Sequence, residues 1–104
     1  MTSLGVLPGY DDSQAHGINN NGDVIGGVTR GLVSASPPRS PDVRAFLWRN
    51  GVMHDLNDLI PSKSGWVLEE ANGINNRGQI TGVGIHNGFK RAYLLTPLRV
   101  RNAR

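Results

Sequence analysis

The sequence predicts an all-β protein built from antiparallel meanders, on three observations. One strand-rich block occurs twice, Asn- and Gly-rich turns separate short apolar runs, and no segment carries helical periodicity of useful length. Sliding the chain on itself sets AHGINNNGDVIG (residues 15–26) over ANGINNRGQITG (71–82), at an offset of 56 with seven of twelve positions identical. RAFLW (44–48) matches RAYLL (91–95) at an offset of 47, so the first copy holds nine more residues between its blocks. A third, weaker match sets LGVLP (4–8) over LNDLIP (56–61). Three blocks in one order mark an internal duplication, and a period near 47 residues belongs to propellers, solenoids and arrays.

Each block reads as strand. In GINNNGDVIGG the Asn-Asn-Asn-Gly run lies between apolar residues and accepts the positive φ of a tight turn, so residues 14–19 pair with 23–29. Asn50-Gly51, flanked by apolar runs, pairs residues 44–49 with 52–56. Along that middle strand Ala45 and Leu47 alternate with Phe46 and Trp48, so both faces are apolar and both need cover. Gly17, Gly73, Gly26 and Gly82 fall inside strands, where a bulge or a close backbone approach is the reason to keep glycine. The segment TRGLVSASPPRSPDV, rich in Pro, Ser and Gly, reads as an exposed loop. The acid-rich stretch 67–72 is the best helical candidate, but Gly65 and Gly73 bracket it too tightly.

The expected chain order is a tail-type strand at residues 2–7, three strands, a tail-type strand at 52–60, and three more strands. Residues 1–98 then form one repeat domain, with copy one at about 9–60 and copy two at about 61–98, the first strand being the tail of a preceding unit. Residues 99–104 are a basic tail. Which four strands share a sheet stays open. The architecture expected is two propeller-like blades, with a small two-sheet β-sandwich as the alternative.

Lys and Arg number 11 against 8 acids, but Arg99, Arg101 and Arg104 sit in the last six residues, and without them the body is neutral. A basic terminal tail is not a basic folded face, so nucleic-acid binding is not expected. The chain has no cysteine, which excludes disulfides, thiolate zinc sites and cysteine nucleophiles. No apolar stretch approaches membrane-spanning length and the N-terminus has no export-signal pattern, so a soluble chain without membrane insertion is expected.

Candidate chemistry is sparse. His16, His54 and His86 have no spacing that places two on one face, and His16 aligns with Asn72, so no metal site is expected. The run from Asn19 to Asp23 has the flavour of a calcium loop, but with Gly22 at the sixth place the first ligand would be Gly17 and no Glu follows at the twelfth. The pairs Asp55/Asp58 and Glu69/Glu70 invite a glycosidase reading, yet in a strand the members of each pair point to opposite faces. No nucleophile elbow, phosphate loop or dinucleotide fingerprint occurs, and no cofactor is expected. Trp48 and Tyr93 belong to the doubly apolar strand and read as core. Trp66 follows Ser-Lys-Ser-Gly and has no counterpart in the first copy, which makes it the residue to choose for a ligand contact.

The repeated positions are Ala15, Ile18, Asn19, Gly22, Gly26, Ala45, Phe46, Leu47, Trp48, Asn50 and Gly51 in the first copy, and Ala71, Ile74, Asn75, Gly78, Gly82, Ala92, Tyr93, Leu94 and Leu95 in the second. In their order and spacing they resemble the HAF family of bacterial extracellular repeats, whose units carry Ala, then Ile-Asn-x-x-Gly-x-Val-x-Gly, then His/Arg-Ala-Phe-Leu-Trp, then Asn-Gly. The resemblance spans roughly residues 2–98. Tyr93 and Leu95 depart from Phe and Trp, and Thr96-Pro97 stands where the second Asn-Gly would be. The resemblance implies an exported or cell-surface array of propeller-like blades with no enzymatic activity.

The function expected is a non-catalytic structural or interaction module of an exported protein, its specific ligand left open between a protein and, on the alternative below, a surface glycan. The alternative is a carbohydrate-binding or glycan-processing module that uses Trp66 and nearby acids. Two blades cannot close a ring of the usual four to eight, so open sheet faces and edges point to a cyclic homo-oligomer of two to four chains through strand or blade pairing, with the first strand completing the last sheet.

Overall fold

The computed structural model describes residues 1, 3–30 and 42–97. Its elements are antiparallel strands in two sheets, with one short 3-10 turn between them. Strands β1 (Asp12–Ile18), β2 (Val24–Arg30), β3 (Asp42–Arg49) and β4 (Val52–Asp55) form the first sheet in that order. Strands β5 (Trp66–Ile74), β6 (Ile80–His86) and β7 (Phe89–Leu95) form the second. The phase left open by the sequence is thus settled: the chain changes sheet after the 3-10 turn Leu56–Leu59.

The turns follow from residue chemistry. Asn50 and Gly51 take φ of 54° and 82° between β3 and β4. Asn87 and Gly88 take 51° and 90° between β6 and β7, a second Asn-Gly hairpin that the sequence reading did not single out. Two successive positive φ values give the turn whose twist matches the flanking strands. In the first repeat the same junction is occupied by residues 31–41, and the loop expected in that segment lies largely outside the described residues.

The in-strand glycines have a common cause. The ladder slips between Ala15 and Gly17 on β1 and between Ala71 and Gly73 on β5, opposite Gly26 and Gly82. Each slip tips a carbonyl over the facing strand, and a Cβ on Gly26 or Gly82 would lie 1.9 Å from the oxygen of Gln14 or Glu70. Only glycine fits beneath a bulge of this kind.

Strand β3 is covered on both sides. Its Ala45 and Leu47, with Ile25 and Leu56, pack against Leu68, Ala71, Ile80 and Tyr93 of the second sheet. Phe46 on its other face joins Val24, Val28 and Leu7, with Leu4, Tyr10, Trp48 and Met53 alongside. Here the structure corrects two expectations. Residues 3–7 form no strand: Gly5 takes a φ of 82°, and the chain crosses the outer face of the first sheet with Leu4 and Leu7 turned to it. A three-residue spacing cannot be met by the two-residue alternation of a strand. The tail strand expected at 52–60 stops at Asp55, whose carboxylate accepts from the backbone N–H of Asn57 at 2.8 Å and caps the 3-10 turn that buries Leu56.

An added methyl at Gly26 or Gly82 therefore meets rigid backbone. Gly26→Ala and Gly82→Ala are each expected to lower stability by about 2–3 kcal/mol, the scale of an overpacked core. Gly27→Ala, where the new Cβ meets only the Glu70 side chain, is expected to cost clearly less. Urea midpoints of the three variants check the order.

Candidate functional site

The most organised polar geometry lies where the first repeat meets the second. Both Ile-Asn turns are built alike. In the first, Asn19 accepts on its Oδ1 from the N–H groups of Asn21 and Asp23, both at 3.0 Å. In the second, Asn75 Oδ1 accepts from Arg77 and Gln79, again both at 3.0 Å. Two backbone bonds also recur, Gly22 to Asn19 with Gly78 to Asn75 and Asn19 to Asp23 with Asn75 to Gln79, each donated by the first-named N–H at 3.1 Å. A side chain that bonds the backbone two residues on makes the turn itself, which is why Asn and not an apolar residue recurs there.

The turns then bond to one another. Asn19 donates from Nδ2 to the carbonyl of Asn75 at 3.0 Å, and the N–H of Asn20 donates to Asn76 Oδ1 at 2.8 Å. Both contacts join positions offset by 56, so the seam matches each residue to its own equivalent. Beside it His16 Nε2 and Glu70 Oε1 lie 2.9 Å apart, across the sheets.

Below the first turn Asp23 is buried and receives Arg49 in a fork, from Nε at 3.0 Å and Nη2 at 3.1 Å. The hydrogen bond from Arg49 holds the Asp23 carboxyl below its ordinary range; burial opposes this, and Asn19 adds to it. The equivalent pair in the second repeat is neutral: Gln79 Nε2 donates to Thr96 Oγ1 at 3.4 Å.

Asn57 serves the free edge of β5. Its Nδ2 donates to the Leu68 carbonyl at 3.0 Å and its Oδ1 accepts the Leu68 N–H at 2.7 Å. One amide thereby replaces a rung of ladder on an edge strand. On β1 the related contact is Ser13 Oγ donating to the Gly5 carbonyl at 2.7 Å.

Of the residues singled out in the sequence, Trp66 is brought against His86 and Tyr93, Tyr93 against Glu70, and Glu70 against His16. Trp66 opens β5, half-buried, its ring stacked on His86 at 4.7 Å and 20° and set edge-on to Tyr93 at 6.1 Å and 76°. It lines an open apolar cleft with Ile60, Pro61, Leu68, Tyr93 and Leu95. Trp48 lies in the outer cluster. Burial, and then the Glu70 charge, push the Tyr93 hydroxyl well above its ordinary pKa, so it stays protonated and donates to the Glu70 carbonyl at 2.7 Å. His54 is exposed on β4. Glu69 pairs with Lys90 at 3.5 Å, Asp55 with Arg44 at 3.5 Å and Glu70 with His16 at 2.9 Å, so three of the four acids of the glycosidase reading are each engaged by a different base. Among the described residues no group of three or more His, Asp or Glu is placed to hold a metal.

The sequence reading missed the Asp23–Arg49 fork, the His16–Glu70 pair and the role of Asn57. A signal existed for the first: Asp23 aligns with Gln79 and Arg49 with Thr96, so the two positions change character together. Comparison with protein-family models, curated proteins and solved structures returns no match.

A carboxyl whose folded-state pKa is depressed stabilises the protein above its unfolded-state pKa and loses that contribution as pH falls through the folded value. Asp23→Asn is therefore expected to lower stability at pH 7 by about 1 kcal/mol, discounted because Arg49 is partly solvated. The deficit should shrink as pH falls below 4, the ordinary carboxylate range. Urea titrations of both proteins at a series of pH values measure it.

Proposed function

We propose that the chain is a non-catalytic structural or interaction module, a stacked pair of propeller-like repeats from an exported bacterial protein. The observation that carries this reading is the seam: Asn19 bonds Asn75 and Asn20 bonds Asn76, equivalent to equivalent, so the repeated residues are used to stack one unit on the next. The other repeated positions serve the same end. Gly26 and Gly82 sit beneath bulges, Phe46 and Tyr93 fill matched core places, and Asn50-Gly51 makes a turn. The resemblance to HAF repeats supports the exported, propeller-like part of the reading. No helix of the described residues is long and apolar enough to cross a membrane.

The competing glycan reading draws on Trp66 in its apolar cleft. Sugar recognition by an indole needs a free ring face. One face of Trp66 is already occupied by His86, which favours packing. On a glycan array the wild-type protein is expected to show no selective binding, and a panel of fluorogenic glycosides no turnover. Selective binding that disappears in Trp66→Ala, with the far-ultraviolet spectrum unchanged, would contradict the proposal.

A further inference from the structure

Part of the surface that each repeat buries at the internal junction is left open on the other repeat. On the first sheet Ile25 and Ala45 are 0% exposed and Leu47 5%, all against the second sheet. Their equivalents on the second sheet, Thr81, Ala92 and Leu94, are exposed, Leu94 to 60%. Thr81 pairs with Leu94 and Val83 with Ala92, so they form one stripe on the face turned away from the first sheet. At the other end the converse holds at the rim, since Phe46 and Val24, the equivalents of Tyr93 and Ile80, are already covered by Leu4 and Leu7. Ala71 is 0% exposed at the junction, whereas its equivalent Ala15 is exposed, and Ile18, the equivalent of the packed Ile74, is 67% exposed.

The polar seam is unfinished in the same sense. Asn19 uses its amide twice, once within its own turn and once on Asn75. Asn75 uses its amide within its own turn, on Gln79, and the N–H of Asn76 has no partner among the described residues. At the first turn the Asn20 side chain is exposed. The donors left over on the second repeat match the acceptors left over on the first.

We propose that the chain associates head to tail with a second copy of itself, the outer face of its second sheet seating on the first repeat of the next chain. Asn75 Nδ2 then bonds the next chain's Asn19 carbonyl, and the N–H of Asn76 bonds its Asn20 Oδ1. The His16–Glu70 contact is replaced by Asn72 against Gln14, two amides that can each donate and accept. Leu4, which aligns with Leu56, takes the place Leu56 holds at the internal junction. The two junctions differ at one point: Val83 stands where Gly27 makes room for the Glu70 carboxylate, so Gln14 must turn towards Asn72. A contact of this heterologous kind closes into a ring when its rotation fits and otherwise propagates.

This inference rests on the repeat-module reading, and the experiments separate the two. In sedimentation from about 10 μM to about 1 mM, a range that captures weak to moderate association, the mass should rise with concentration. Leu94→Lys puts an ammonium into the interface and should weaken association about tenfold or more without changing the melting temperature of the dilute monomer. The chain has no cysteine, so Asn20→Cys and Asn76→Cys can be prepared separately and mixed under oxidation. A disulfide joining the two variants, with none in either alone, is the expected result. A constant monomer mass with no mixed disulfide overturns the proposal and leaves the module reading standing. Cross-linking of Asn76→Cys alone overturns it in favour of a two-fold dimer. A monomer that Leu94→Lys destabilises overturns it by showing the face covered within the chain. Glycan binding by an intact oligomer removes the module reading and leaves the interface.

Discussion

Strand β3 cannot be satisfied by one sheet. Ala45 and Leu47 on one face and Phe46 and Trp48 on the other make it apolar on both sides, and each side must lose its water to be worth folding. The rest of the molecule is arranged around that need. The second sheet covers one face through Leu68, Ala71, Ile80 and Tyr93, and the N-terminal segment covers the other through Leu4 and Leu7. The inner face of each sheet is covered by the other, so the two sheets depend on each other.

Apolar burial is not directional, and two sheets could slide against each other with little loss of contact area. The asparagine turns remove that freedom. Each turn is rigid because its Asn side chain occupies its own backbone donors, and the bonds from Asn19 and Asn20 to Asn75 and Asn76 then fix one register. Only the first repeat adds a charged fork, Arg49 to Asp23, where the second has Gln79 and Thr96. The same turn is thus supported in one place by an ion pair and in the other by neutral groups.

Much of this was legible because the signals were local or repeated. The all-β class, the Asn50-Gly51 hairpin and the two-sided β3 follow from spacing and from the two-residue period of strands. What was not legible depends on contacts between distant residues. Residues 3–7 carry an apolar spacing of three, which the alignment with 56–61 presented as a tail strand; in both copies that segment packs as irregular backbone or a 3-10 turn. The bond from Asn57 to Leu68 joins residues whose types carry no mark of the pairing. Trp66 drew notice as the unmatched aromatic, and the stacking of His86 on its ring arises from the pairing of the two residues across β5 and β6.

The central claim is that the two repeats fold as one cooperative unit through their shared face. Each repeat has one tryptophan, Trp48 in the first and Trp66 in the second. Trp66→Phe leaves a reporter on the first sheet, and Trp48→Phe leaves one on the second. In urea, the fluorescence transition of each variant should coincide with its own far-ultraviolet transition, in midpoint and in slope, as a single two-state unit requires. A variant whose fluorescence reports the loss of one sheet while half of the β signal persists would contradict the account.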